Sequence, residues 1–473
     1  MNHMKPLLLI PVENQVRELD PKLLLACVAA KRGFSSVIGA HREIDFRIAS
    51  FPRSLYLCKS FTVSNLKMFR IIHKLGHQIV SWDEEALVHL PPEMYYSRRL
   101  SPLTMKYISH LFAWGEDNAE LWRQYPEFPA GLPIHIAGNP RNDVLRPEMR
   151  AFYESDVQEI HKVCGEFILV NTNFNHVNSF SPVQNLFQPV NKVGEEAVFG
   201  KAARGMTREY AEGFRDHKTA IFKNFQQLIP NLEKDFPQYT IVVRPHPTEN
   251  QDIYNGIAAR CERVRVTNEG NVVPWLMATR ALIHNGCTTG VEAFVMGVPA
   301  ISYRATVNDF YDHGFYRLPN LLSHQCFDFE ELRVTLSKIL AGNLGTVNGE
   351  ERKALIDHHL AAIEGPLASE RIIDILEETG KDQPELPKPG LADRFGGWWI
   401  ANARRLIKRT KAYFPGPHNR SEFQRHRYPG ISLGEMHDRI RRFQKLLGWE
   451  EKLRVEQLYS DVFQVTPEGG AKD

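Results

Sequence analysis

Two short stretches of the sequence carry residue types and a spacing that suit anion binding. One is RPHP, residues 244–247, which follows the apolar residues 241–243 of a predicted buried strand. The other is HNGCTTG, residues 284–290, between a predicted strand over 281–283 and a predicted helix over 291–296. In open α/β sheets, ligands lie beyond the carboxyl ends of the strands, and helix N-termini hold phosphate. Together the two stretches predict a phosphate site at the edge of a parallel sheet.

The predicted ligand-binding residues come from these stretches, from the helix after them and from the polar loop after a strand over 167–171. They are Asn173, Arg244, His246, Pro247, Asn285, Gly286, Thr288, Thr289 and Glu292. Arg and His donate hydrogen bonds to phosphate. Three alternatives stay open: the threonines can cap the helix, Asn173 can form an Asx-type turn, and Glu292 can simply favour the helix dipole.

Three consecutive acids, Asp83, Glu84 and Glu85, follow a predicted strand over 78–82. At the carboxyl end of a buried strand, at least one of them is expected to enter a cleft. A carboxylate beside another has a raised pKa, which suits a general base for a hydroxyl group. Acids near a helix start are also favourable without any catalytic role. The predicted catalytic residues are these three acids, among which the sequence does not choose, and His246.

The order of the other elements predicts an α/β protein of two doubly wound domains. A strand over 5–12 is followed by a polar loop with Glu13, Arg17 and Glu18, and then by a helix that Pro21 opens. The loop charges are predicted either to line the cleft or to be solvated. The turn GNPR, residues 138–141, is predicted to be structural, together with Asp143.

RPHP and the stretch HNGCTTGVEAFVMGVPAISY, residues 284–303, resemble the donor half of GT-B glycosyltransferases that use cytidine-activated donors. These include bacterial sialyl-, polysialyl- and Kdo transferases and glycerophosphate polymerases. The chain is most similar to bacterial surface carbohydrate biosynthesis proteins, from about residue 5 to about residue 375. The resemblance implies a GT-B fold, in which two Rossmann-like domains face each other across a cleft. It also implies an acceptor domain over 1–150 and a nucleotide-sugar donor domain over 160–375.

The resemblance further implies roles for single residues. His246 with Thr288 and Thr289 would grip the nucleotide phosphate, and Glu292, placed on the first turn of its helix, would bind a ribose hydroxyl. The acids 83–85 resemble an acidic motif that supplies the base in bacterial sialyltransferases. That motif has glycine where this chain has Ala86, so the register of the acids is open.

The predicted function is transfer of a sugar from a nucleotide-activated donor to a surface polysaccharide or glycolipid acceptor. The donor is predicted to be CMP-linked, of the Kdo or sialic type, and neither a metal nor a cofactor is predicted. Two alternatives stay open: a UDP-sugar 2-epimerase-like enzyme, and a non-catalytic scaffold of a polysaccharide assembly complex. Nucleotide preference distinguishes the epimerase-like enzyme from a CMP-sugar transferase, and an intact phosphate site disfavours the scaffold.

Composition supports a cytoplasmic protein. Its six cysteines are scattered without a CxxC pair, and the apolar run over 6–12 is too short for a signal peptide or a membrane span. The tail over 390–473 is predicted to be helical and basic. Trp398 and Trp399 precede a Lys/Arg cluster over 404–411, which suggests an interfacial helix on the inner face of the membrane. Alternatively, the tryptophans pack across the two domains. Nucleic acid is not a predicted partner, because the basic character is confined to the tail.

Overall fold

The computed structural model describes residues 5–189, 196–312, 317–382, 386–411, 413–414, 421–450 and 452–468. They form two compact units. The first comprises the described residues of Met1–Leu87, Pro92–Phe152 and Ala354–Asp473, and the second those of Val88–Pro91 and Tyr153–Lys353. Each unit is built around one sheet with adjoining helices, so the protein is an α/β protein of two domains.

The strands in chain order are β1 (Leu7–Val12), β2 (Ser36–Ala40), β3 (Ser54–Cys58), β4 (Gln78–Ser81), β5 (Ile108–Ala113), β6 (Ile134–Ile136), β7 (Phe167–Thr172), β8 (Thr240–Pro245), β9 (Val264–Val266), β10 (Ala281–His284), β11 (Ala300–Tyr303), β12 (His324–Cys326), β13 (Leu453–Tyr459) and β14 (Val462–Pro467). The helices are α1 (Gln15–Lys31), α2 (His41–Phe46), α3 (Leu66–Lys74), α4 (Pro92–Arg99), α5 (Pro102–Met105), α6 (Glu116–Arg123), α7 (Pro140–Asp143), α8 (Glu154–Cys164), α9 (Arg208–Asp235), α10 (Asp252–Ala258), α11 (Val272–Ala278), α12 (Thr288–Met296), α13 (Asp309–Asp312), α14 (Arg317–Leu321), α15 (Phe329–Leu340), α16 (Glu350–His359), α17 (Ala368–Asp382), α18 (Leu391–Lys411), α19 (Ser421–Arg427) and α20 (Leu433–Leu446).

The sheet of the first unit has the order β13-β14-β2-β1-β3-β4-β5-β6. Strands β1 to β6 are parallel. The central strands β1 and β3 are almost entirely buried, as expected of parallel strands that helices cover on both faces. The strand order reverses between β1 and β3, so the loops after these strands flank a topological switch point, where ligands of open α/β sheets bind.

The sheet of the second unit has the order β12-β11-β10-β7-β8-β9 and is entirely parallel. This is the strand order of a Rossmann fold, with β7 as its first strand and β10 as its fourth. Its core includes Ile168 on β7, Val243 on β8, Ile283 on β10 and Phe225 on α9. The switch point lies between β7 and β10, and the HNGCTTG stretch begins at the last residue of β10.

Helix α1 begins at Gln15, so the prediction that Pro21 opens this helix is wrong. The carboxylate of Glu18 accepts hydrogen bonds from the backbone N–H groups of Glu13 (2.9 Å) and Asn14 (3.2 Å). These bonds satisfy backbone donors just before the helix and fix its start earlier in the chain. Pro21 lies inside the helix, where it removes one backbone hydrogen bond.

The first unit also contains the segment after the second domain, and the predicted domain limit near residue 375 differs from the observed one at Lys353. Asp143 explains the difference. Its carboxylate accepts hydrogen bonds from the N–H groups of Ala368 (2.7 Å) and Ser369 (2.9 Å) at the start of α17, and from the Ser369 hydroxyl (2.7 Å). These bonds join α17 to the first unit and confirm the predicted structural role of Asp143.

The sequence predicted a helical tail, but the tail is not purely helical. It contains α18, α19 and α20, but it ends in the hairpin β13–β14, and β14 pairs antiparallel with β2. A Cβ atom at Gly39 would lie 2.1 Å from the carbonyl oxygen of Asp461. Glycine at this position therefore lets the hairpin approach the sheet. No helix among the described residues is long and apolar enough to cross a membrane.

Candidate functional site

The predicted strand, turn and helix around residues 284–290 are present as β10, a short turn and α12. Gly286 has φ +83°, a left-handed conformation that favours glycine. Its N–H group donates to Nδ1 of His284 (3.0 Å), and Nε2 of the same ring lies 2.8 Å from the hydroxyl of Ser323. Burial lowers the pKa of His284 to about 3. The ring is therefore neutral and holds the turn as a hydrogen-bond acceptor.

Helix α12 comes very close to this histidine through Gly290. A Cβ atom at Gly290 would lie 2.6 Å from Nε2 and 2.7 Å from Cε1 of His284. Any larger residue would push the ring away from the turn that it holds. The glycine of the TTG sequence is therefore required by the close approach of helix and strand.

The N-terminus of α12 has no side-chain cap. The N-cap residue is Cys287, which makes no capping hydrogen bond, and Thr288 and Thr289 are the first two helical residues. The alternative that these threonines cap the helix is thus not realised. Both are half-buried, and Thr289 Oγ1 contacts the Cys287 thiol. Burial raises the pKa of that thiol to about 11, so no negative charge on it opposes an anion at this helix end.

Asn285 joins the loops that follow β10 and β7. Its Oδ1 accepts the N–H of Asn173 (3.0 Å), and its Nδ2 donates to the carbonyl oxygen of Asn173 (3.2 Å). Among the described residues, the buried side-chain oxygens of Asn171 and Asn173 have no hydrogen-bond partner. The edge of the sheet at its switch point therefore holds two acceptor groups that a ligand hydroxyl or amino group would satisfy.

His246 lies in the turn after β8, between Pro245 and Pro247, and is half-buried. The backbone N–H of Thr248 donates to its Nδ1 (3.3 Å), which also lies 2.8 Å from the Thr248 hydroxyl. Because Nδ1 accepts, the proton of the neutral ring resides on Nε2. The ring thus presents a donor, the form that a phosphate oxygen requires.

A buried network that sequence reasoning missed fixes the backbone of this turn. Glu249 Oε1 accepts the N–H of His246 (3.0 Å) and the hydroxyl of Thr172 (3.0 Å), while Oε2 accepts the Tyr254 hydroxyl (2.7 Å). The side chain of Glu249 is fully buried, and burial raises its pKa. The network joins the ends of β7 and β8. Its only sequence signal is the acid three residues after His246, a spacing that allows a turn.

Arg244 makes contacts that the sequence did not predict. Its guanidinium donates to the backbone carbonyls of Glu269 (2.7 Å) and Gly270 and lies 5.4 Å over the Trp275 ring. The side chain is nearly buried, and burial lowers its pKa to about 9. These contacts hold the guanidinium on the loop before α11, and phosphate binding by Arg244 stays a prediction.

Glu292 is also placed differently from the prediction. Helix α12 starts at Thr288, so Glu292 follows the first turn, which contains no acid. Its side chain is buried. The site in the second unit thus brings together Asn173, His246, Pro247, Asn285, Gly286, Thr288 and Thr289, all at the carboxyl ends of the neighbouring strands β7, β8 and β10.

The first unit separates the three predicted catalytic acids. The Asp83 carboxylate is buried and accepts hydrogen bonds from Arg99 and from the Tyr95 hydroxyl (2.7 Å). The Glu84 carboxylate is buried too and accepts from Trp82 Nε1 (2.8 Å). Glu85 alone of the three is exposed, at 51% of its side chain, and pairs with Arg17 at 3.1 Å. The structure therefore argues against Asp83 and Glu84 as bases, because their carboxylates are buried structural acceptors.

The loop after β1 contributes a buried charge cluster. Glu18 accepts from Lys22 (2.8 Å) and Lys59 (2.7 Å), and Lys59 also pairs with Glu13 at 2.6 Å. Burial alone would raise the pKa of Glu18, but the two lysine charges hold it well below its ordinary value. Lys22 and Lys59 were not predicted. Lys59 directly follows β3. The rule that ligands lie beyond the carboxyl ends of strands, which selected the residues after β4 and β8, could therefore have selected Lys59 as well.

No group of three or more His, Cys, Asp or Glu side chains in the described parts of the chain is placed to hold a metal ion.

No protein-family model matches the chain, and no curated protein matches it. Among solved structures, a variant of the wall teichoic acid polymerase TagF soaked with CDPG is similar. It is 13% identical, with a TM-score of 0.50, over 80% of this chain and 89% of that chain. The UDP-GlcNAc 2-epimerase from Methanocaldococcus jannaschii, in complex with UDP-GlcNAc and UDP, has 12% identity and a TM-score of 0.46 over 79% of this chain and 100% of that chain. That from Neisseria meningitidis, bound to UDP-GlcNAc, has 14% identity and a TM-score of 0.43 over 80% of this chain and 100% of that chain.

The likeness to TagF shows the fold. With the strand orders of the two sheets, it confirms the predicted class, an α/β protein of the GT-B type with two Rossmann-like domains. A shared fold does not by itself give a shared reaction.

Proposed function

We propose that the protein is a GT-B glycosyltransferase that takes a nucleotide-activated donor on its second domain. One observation carries the proposal. At the switch point of that domain, the uncapped N-terminus of α12 and the fixed donor ring of His246 lie on loops of nearby strands. A helix N-terminus and an Nε2–H donor are what a departing phosphate requires, because they stabilise the negative charge that develops on it.

The donor is proposed to carry cytidine. The sequence resembles transferases with cytidine-activated donors, and the solved TagF structure contains CDPG. The buried oxygens of Asn171 and Asn173 offer acceptors to a ribose hydroxyl or to the amino group of a cytosine. A CMP-linked sugar of the Kdo or sialic type remains the specific prediction, with a surface polysaccharide or glycolipid as the acceptor.

The proposed reaction forms a bond between an acceptor oxygen and the sugar carbon and breaks the bond from that carbon to the donor phosphate. The nucleotide leaves with both bonding electrons, and His246 Nε2–H donates a hydrogen bond or the proton to its phosphate. Glu85 is proposed as the base that takes the acceptor proton, because its carboxylate is the exposed one of the three acids.

Calorimetric titration with CMP, CDP, UMP and UDP tests the proposal, with His246→Ala and a matched control, His161→Ala. His161 is a partly exposed histidine on α8 of the same domain. Loss of a hydrogen bond to a charged phosphate, about 1.5–3 kcal/mol, corresponds to roughly 10–150-fold weaker binding. We expect that loss for His246→Ala only, with cytidine nucleotides preferred.

A preference for UDP would favour the epimerase-like alternative or a UDP-sugar transferase. The absence of binding for all four nucleotides would contradict the proposal and favour the scaffold.

A further inference from the structure

Helix α18 packs on the first domain through its smallest residues. Gly397 and Ala401, one helical turn apart, are buried. A Cβ atom at Gly397 would lie 3.0 Å from Cβ of Lys74 and 3.2 Å from Cγ of Leu75. On the same side, Arg404 pairs with Asp45 at 3.3 Å. The attached face is thus narrow, and glycine permits its close approach to α3.

The large apolar side chains of α18 lie on its exposed surface. Phe395 and Trp399 are 69% and 62% exposed, and Trp398 is 47% exposed. Leu406 is exposed as well, and the helical period places it with Phe395 and Trp399 on the face away from Gly397 and Ala401. A helix that only covers a domain has the reverse arrangement, with large apolar residues inside. The exposure of Trp398 and Trp399 therefore disfavours the alternative that they pack across the domains.

Cations lie along an edge of this apolar face. The helix contains six Lys and Arg residues and a single acid, Asp393, which pairs with Lys74 at 2.8 Å. Arg405 and Arg409 are spaced one turn apart, and the helical period places them beside the aromatic stripe. Exposed aromatic residues next to Lys and Arg characterise helices that lie at an anionic lipid surface.

We propose that α18 docks the protein on the surface of an anionic lipid bilayer. Phe395, Trp398, Trp399 and Leu406 enter the boundary between headgroups and acyl chains, and the neighbouring cations contact the lipid phosphates. A second copy of the chain is a poorer occupant, since it would bring two strongly basic faces together. The proposal goes beyond the transfer reaction and does not depend on the nucleotide bound by the second domain.

Sedimentation with vesicles tests the proposal on the full chain. Phosphatidylcholine vesicles with and without phosphatidylglycerol are compared at low and high salt. We expect binding to the mixed vesicles, weaker at high salt, with a blue shift of tryptophan fluorescence. Each cation near an anionic surface contributes roughly fivefold. Arg405→Glu/Arg409→Glu is therefore expected to weaken partitioning by at least about 25-fold.

Two control variants match the changes in charge and in apolar surface. Lys162→Glu/Lys223→Glu alters the net charge equally on exposed positions of the second domain and is expected to change partitioning by less than about fivefold. Phe395→Ser/Trp399→Ser is expected to weaken partitioning at least about tenfold. Val163→Ser/Phe327→Ser, at exposed apolar positions of the second domain, is expected to have no effect.

All four variants alter exposed or half-exposed side chains, so their thermal melting curves should match that of the parent protein. The proposal is overturned by the absence of vesicle binding, by equal binding to neutral and anionic vesicles, or by equal losses in the control variants. It is also overturned if light scattering without lipid shows a dimer that Phe395→Ser/Trp399→Ser dissociates, because the apolar face would then bind a second copy.

Discussion

A single methyl group at Gly290 should damage the proposed phosphate site. In Gly290→Ala, the new Cβ would stand 2.6 Å from His284 Nε2, well inside ordinary contact distance. The ring is fully buried and bonded at both nitrogens. Overpacking of this kind costs about 1–3 kcal/mol, and displacing the ring from the Gly286 N–H leaves a buried donor, which costs about 1–3 kcal/mol. We expect the free energy of unfolding to fall by roughly 2–6 kcal/mol.

Thermal melting and nucleotide titration measure this effect, with Gly297→Ala as the control. Gly297 ends the same helix with φ +73°, and no atom lies within 4 Å of the position that its Cβ would take. Alanine there costs about 1–2 kcal/mol of backbone strain but leaves the turn before α12 unchanged. We therefore expect Gly290→Ala, and not Gly297→Ala, to weaken nucleotide binding by about tenfold or more, which corresponds to about 1.4 kcal/mol.

A double-mutant cycle identifies the cause. Removing the ring in Gly290→Ala/His284→Ala makes space for the methyl group, so the loss of stability should be smaller than the sum for the two single variants. Additive losses would show that the methyl group acts through something other than His284. Unchanged melting and unchanged affinity in Gly290→Ala would refute the reasoning as a whole.

Three further predictions concern charged groups. Glu85→Gln should lower kcat by about 10²–10⁴-fold without changing the melting temperature. Asp83→Asn should instead destabilise the first domain by about 3 kcal/mol, because it breaks the pair with Arg99. The reverse pattern would contradict the assignment of Glu85 as the base. Unfolding in urea should show that the free energy of unfolding falls as the pH drops below the ordinary carboxyl pKa of 4.5, because the lysine contacts that lower the pKa of Glu18 stabilise the fold only while its carboxylate is ionised. An equal loss of stability at low pH in Glu18→Gln would contradict this. Burial lowers the pKa of Lys218 to about 7, so its buried charge lowers the stability of the fold most below pH 7 and progressively less toward its ordinary pKa of 10.5. Lys218→Met should therefore raise the free energy of unfolding by roughly 3–5 kcal/mol at about pH 6.5 and by less at about pH 9.5. An equal gain at both pH values would contradict the reasoning.

The sequence predicted the elements that position the site because their signals are local. Strand β10, the turn and α12 are contiguous, and the apolar strand, the polar turn and the helix follow one another as the structure has them. The contacts of Arg244 were not predicted because an arginine side chain at the end of a strand can point in several directions. Its observed partners, the carbonyls of Glu269 and Gly270, lie in a loop that only the fold brings near.

Other errors have the same origin in long-range contacts. The hairpin β13–β14 was missed because the apolar alternation of β13 is short: it covers residues 453–456 and breaks at Gln457, and Val455 is the one buried residue of the strand. The exposed face of α18 follows from the docking of Gly397 against α3. The sequence of the helix alone does not predict such a contact, because the same apolar and charged residues suit a helix packed on a domain and a helix with an exposed apolar face.

The most direct test of the central claim is a structure of the protein in complex with a cytidine nucleotide, CMP or CDP. We expect a phosphate group at the N-terminus of α12, within about 3 Å of the Thr288 or Thr289 N–H groups and of His246 Nε2. The base and ribose should lie near Asn171 and Asn173. A nucleotide bound away from the loops after β7, β8 and β10 would contradict the claim that this switch point is the donor site.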